Sequence, residues 1–148
     1  MSGHKWTDLT NSYSQTVDRI KAKDINKSAR ISTIIFSSGA KIFCEDEAPE
    51  NINKKLPYSG GGTNFNRAFE ATIELAQKYI SKSIILFIFM TDGQSSYPAA
   101  EIDKLSKLQK DNPNMLKFSG IEFGKQCQLM KKIADELKGK TGVAYNAE

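Results

Sequence analysis

Cysteine and histidine are scarce in this 148-residue sequence, with two of the first and one of the second. Two thiols, Cys44 and Cys127, cannot build a disulfide framework, and His4 is too little to complete a Cys/His zinc site. We expect both cysteines to be reduced and partly buried, which favours a cytoplasmic, intracellular setting. Long hydrophobic runs are also missing. The longest, residues 84–90, is far short of the roughly 20 residues a membrane-spanning helix needs. No apolar stretch follows Met1, so the sequence as given shows no secretory signal, and Ser2 in place of glycine removes the myristoylation pattern. Arginine is rare: only Arg19, Arg30 and Arg67 among 21 basic residues. The net charge of +4 is spread along the chain and carried by lysines on helix faces, not by the clustered arginine forks of a nucleic-acid surface. No P-loop pattern occurs, and no histidine follows Ser37 or Ser38 to make either a nucleophile.

What is present fits one domain over residues 1–148, with 39% hydrophobic and 26% charged residues. Trp6, Leu9, Tyr13, Val17 and Ile20 follow helical spacing and predict an amphipathic helix with Trp6 as a core anchor and His4 on the surface. Residues 30–36 read as a β-branched strand that turns through 37–40 into a short return strand at 41–44. An acidic loop follows to residue 58, with room for one short helical turn. After the break at 59–64, a helix carries Phe65, Ala68, Phe69, Ile73 and Ala76. Residues 84–90 show no polar alternation, as in a strand buried on both faces. Pro98 starts the next helix, 115–123 is a strand, and Leu129, Ile133 and Leu137 mark a last helix closed by Gly139. Residues 143–145 make a final strand. The alternation predicts an α/β fold with a mostly parallel sheet, one antiparallel edge strand and helices on both faces. Ligand sites in such folds lie in the loops at the carboxyl ends of the strands.

Two loops meet that description. Gly60-Gly61-Gly62-Thr63-Asn64 precedes a helix, and Thr91-Asp92-Gly93 directly follows the most apolar strand. A carboxylate on Asp92 and a hydroxyl on Thr63 are hard oxygen ligands suited to Mg²⁺. The same glycines before a helix could instead hold an anion, so a phosphate-binding or α/β enzyme role using the Gly60–Gly62 loop and Asp92 stays open as the alternative. An enzyme would need a general base or nucleophile beside Asp92, and no motif supplies one.

The motif Gly60-Gly-Gly-Thr63-Asn-Phe leading into a helix resembles the von Willebrand factor A domain. So do the apolar strand ending Met90-Thr-Asp92-Gly93 and the segment Ser119-Gly-Ile-Glu-Phe-Gly124 before the last helix. The resemblance spans nearly the whole chain. It implies a Rossmann-like domain that binds proteins, with a metal-ion-dependent adhesion site at the top of its sheet. Thr63 and Asp92 match two family ligands of Mg²⁺, and a partner's acidic side chain often completes that shell. The family's Asp-x-Ser-x-Ser loop and first strand have no counterpart in this sequence, and Ser2 does not occupy a ligand position. The resemblance thus implies an N-terminally truncated, incomplete site with weak or absent Mg²⁺ binding. The first central strand would be missing between the strands at 30–36 and 84–90. Residues outside the chain would then fill the gap, or the sheet would close differently, or the chain would self-associate by strand exchange. The expected function is a non-catalytic protein-interaction module, binding an unidentified protein partner near Ser2, Gly62, Asn64, Gln94 and Ser95.

Overall fold

A computed structural model describes residues 3–58 and 60–144. The first element, α1 (His4–Lys23), carries the predicted stripe and buries Tyr13 and Val17. Two antiparallel strands follow, β1 (Ile31–Phe36) and β2 (Ala40–Glu47), then a 3-10 turn at Pro49–Asn51. The return strand is longer than the four residues expected. Its charged end is held by an Arg30–Asp46 ion pair and by the Asp46 N–H, which donates to Ser32 Oγ. After the glycine turn come α2 (Phe65–Tyr79), β3 (Ile85–Thr91), α3 (Ala99–Asp111), β4 (Leu116–Phe123), α4 (Gln128–Glu136) and β5 (Lys140–Ala144). The expected final strand is therefore β5, shifted earlier; Tyr145 and the C-terminal residues lie outside the described residues.

Strands β3, β4 and β5 form a parallel sheet in that order, and β1 pairs only with β2. One large core lies on one side of the parallel sheet, where α2, α3 and α4 meet it. Phe69 is fully buried and packs against Phe87 and Phe89, and Phe118 from β4 meets Phe87 edge-on. The α4 helix approaches β4 closely at Gly120, where an added Cβ would meet Met130 Sδ at 2.6 Å. A second, small cluster of Tyr13, Val17 and Ile52 ties α1 to the opposite face of β1, where Tyr13 and Thr33 share a 2.9 Å hydrogen bond. Thr33 and Phe36, three residues apart, point to opposite faces, so helices do lie on both sides.

Three expectations change. Residues 84–90 are not buried on both faces: Leu86 is 58% and Ile84 66% exposed, because the face of β3 away from α2 has little covering it. Trp6 is half-buried and rests edge-on against Tyr58; the anchors of α1 are Tyr13 and Val17. The last helix ends through Lys138, which takes the left-handed conformation itself (φ 52°). Gly139 is needed for a different reason, since a Cβ there would lie 2.5 Å from the Phe118 carbonyl oxygen.

Between the hairpin and the parallel sheet the backbone ladder is interrupted. β1 and β3 run in the same direction, because both carboxyl ends reach the glycine turn and both strands send phenylalanines toward α2. No backbone hydrogen bond joins them among the described residues. A slot of about 390 Å³ separates them, walled by the two strands and closed above and below by α1 and α2. It falls where a central strand was expected to be missing.

Candidate functional site

The carboxyl ends of β1 and β3 meet at the loop that the glycines make. The Asn64 N–H donates to the Ser37 carbonyl at 2.8 Å, which docks this loop on the end of β1. Gly93 docks it on the end of β3. A Cβ at Gly93 would lie 2.6 Å from Thr63 Oγ1 and 3.0 Å from its Cγ2, so only glycine lets the two loops touch. Thr63 and Asp92, 29 positions apart in the chain, are thereby brought to one edge of the sheet, as expected.

The other predicted residues divide by what their side chains already do. Asn64 caps α2, its Oδ1 accepting from the Arg67 N–H at 3.3 Å, and Ser95 Oγ accepts from the Phe65 N–H at 3.1 Å. Both hold the start of α2 and tie it to the loop after β3. Gly62 donates its N–H to Ser38 Oγ at 3.1 Å. Gln94 is exposed beside Asp92. Ser2 lies outside the described residues.

Two residues at this edge were not anticipated. Lys5, on the first turn of α1, places its ammonium 3.8 Å from Asp92 Oδ2, where the carboxylate is only 14% exposed. In the sequence Lys5 looks like any lysine on a helix face. The second is Glu122, at the end of β4 and 3% exposed. Its Oε1 accepts from the Cys127 N–H at 2.9 Å, while Oε2 is buried without a hydrogen-bond partner among the described residues. Burial pushes this carboxyl above the ordinary range, partly offset by the Cys127 N–H. An acidic residue inside the apolar run 118–123 was the available signal. Glu122, Asp92, Lys5 and Lys125 line a cleft of about 530 Å³ between the ends of β3 and β4.

As a metal site this set is short of ligands. Mg²⁺ prefers about six oxygens in octahedral array, with fixed carboxylates among them. Here the loops offer one carboxylate, Asp92, and one hydroxyl, Thr63, with a lysine ammonium already 3.8 Å from that carboxylate. Among the described residues no three His, Cys, Asp or Glu side chains gather as metal ligands do. Nor does any helix there have the length and apolarity to cross a membrane.

A parallel sheet with helices on both sides and polar loops on its carboxyl edge places the chain in the broad class of layered α/β folds. The particular fold is that of a von Willebrand factor type A domain. A solved structure described as "von Willebrand factor type A from Catenulispora acidiphila" superposes with a TM-score of 0.69 over 98% of this chain, at 17% sequence identity. This chain spans 37% of that one's length. Neither known family profiles nor curated protein sequences give a match.

Proposed function

We propose that the chain is a non-catalytic protein-interaction module of the von Willebrand factor A type, acting inside the cell. Its partner docks on the edge formed by loops 60–66 and 92–97. The observation that carries this reading is the convergence of Thr63, Gln94 and Asp92 on one edge of a von Willebrand factor A-like fold. Thr63 and Asp92 are the remnant of a Mg²⁺-dependent adhesion site, and the Lys5 ammonium supplies the positive charge that neutralises Asp92. Mg²⁺ is therefore bound weakly or not at all, and a partner's acidic side chain meets Lys5 and Thr63 instead of a metal.

The anion-binding alternative is weakened by a specific contact. Two of the first amides of α2, those of Phe65 and Arg67, already donate to Ser95 and Asn64, so the helix end has less left to offer a phosphate.

Photocrosslinking tests the proposal. A benzoylphenylalanine replacing Gln94 should give discrete protein adducts in cell extract that Lys5→Ala strongly reduces, while the same group at Lys104 on α3 gives none. Equal adducts from both positions, or adducts indifferent to Lys5→Ala, would overturn it.

A further inference from the structure

The cleft between the ends of β3 and β4 opens beside the docking edge and holds charges that the edge does not use. Among the described residues four charged side chains line it, two of each sign. One pair is settled. Lys5 Nζ lies 3.8 Å from Asp92 Oδ2 and 3.9 Å from where a Cβ on Gly124 would be, so this ammonium sits between the loops that follow β3 and β4. The other two groups have no such partner. Glu122 is 3% exposed and its Oε1 is held by the Cys127 N–H at 2.9 Å, but Oε2 is buried with no hydrogen bond among the described residues. Buried polar atoms left unpaired are rare in folded proteins, and this one lacks a donor. Lys125, three residues further on, is exposed and makes no ion pair among the described residues. Cys127 starts α4 as its N-cap without a side-chain hydrogen bond, and the first turn carries no acidic residue, so the positive end of the helix adds to the charge of Lys125.

We propose that this cleft binds a free α-amino acid, whose ammonium donates to Glu122 Oε2 and whose carboxylate pairs with Lys125 at the start of α4. The two unused groups are of opposite sign, and a zwitterion satisfies both at once. A simple anion would meet Lys125 but also face the Asp92 and Glu122 carboxylates. A simple ammonium would satisfy Glu122, leave Lys125 unpaired and add a positive charge beside Lys5. A divalent cation would find two carboxylates, one of them already paired with Lys5, where hard cations take about six oxygens. The cleft volume of about 530 Å³ leaves room for a side chain beyond the head group. This site does not depend on which partner, if any, docks on the neighbouring edge.

The test follows backbone amide resonances of the 148-residue protein by NMR during titration with L-alanine, which presents the head group alone. The Cys127 amide, bonded to Glu122, should move and saturate at about millimolar ligand, while amides of α2 stay in place. N-acetyl-L-alanine lacks the ammonium and L-alaninamide lacks the carboxylate, and each should bind about tenfold more weakly or worse. Glu122→Gln keeps an acceptor for the Cys127 N–H, and Lys125→Ala changes an exposed side chain. Each should weaken L-alanine binding by about tenfold while the rest of the spectrum shows the native fold. Three results would overturn the proposal: a Cys127 resonance that does not move well above millimolar L-alanine, equal binding of L-alanine and either blocked analogue, or full affinity in both variants.

Discussion

The hairpin half of the molecule and the parallel half are built from strands of similar composition, yet they are packed very differently. In β1, Ile34, Ile35 and Phe36 are only partly buried, whereas Leu116, Phe118 and Phe123 of β4 are buried. β4 has a strand on each side and helices over it. β1 has one strand neighbour, and α1 reaches it mainly through Tyr13 and Val17. Burial here follows from how many neighbours a strand has, and hydrophobicity alone does not secure it.

Substitutions should expose this contrast. Phe69→Ala opens a hole against Phe87 and Phe89 in the larger core and should cost about 3–5 kcal/mol, measured by urea unfolding. Val17→Ala, equally buried but in the small cluster, should cost about 1–2 kcal/mol. If the two losses were equal, the hairpin half would be as well consolidated as the parallel half, and the comparison would fail.

Glu122 sharpens the comparison from inside the parallel half. Burial raises its folded pKa above the unfolded value of 4.5, so the folded protein holds that proton more tightly. The stabilisation is complete below the unfolded value and is lost as pH rises through the folded one. Glu122→Gln keeps an acceptor for the Cys127 N–H and removes the titration. Its Tm should therefore exceed that of the parent at neutral pH, and the gap should close as pH falls toward 4.5. A gap independent of pH would remove Glu122 as its cause.

The smallest effect is expected at the junction of the halves. Lys5→Ala deletes the ammonium from α1 that faces Asp92 on β3's loop. Being half-exposed, the pair should contribute well under 1 kcal/mol to stability. Mg²⁺ affinity, followed by calorimetry, should rise by a few-fold as the opposing charge is lost. An unchanged affinity would show that Lys5 does not compete for the position.

Much of the fold was legible because local signals agreed with the tertiary outcome. Pro98 lies immediately before α3, Asn64 caps α2, and the run at 84–90 became β3. The interruption beside β1 was expected from the family resemblance, and it is where the structure divides. Thr63 and Asp92 were legible as a pair for the same reason. What stayed hidden depends on long-range placement. Nothing local in Lys5 reports that α1 starts beside Asp92. The exposure of Leu86 follows from a missing neighbour, which its own apolar character does not reveal. Gly139 looks like a helix terminator in the sequence, but its constraint is imposed by the Phe118 carbonyl on another element.

The two halves meet at both ends of α2. Phe36 and Phe89 stack with ring centroids 5.2 Å apart, and Phe65 at the start of α2 meets both edge-on. At the other end of the helix the Tyr79 hydroxyl donates to Glu45 of β2 at 2.7 Å, and Lys78 pairs with the same carboxylate. The helix is thus a brace pinned at two points across the slot. The spacing of the facing strand edges is set by α2, in the absence of any ladder between β1 and β3 among the described residues.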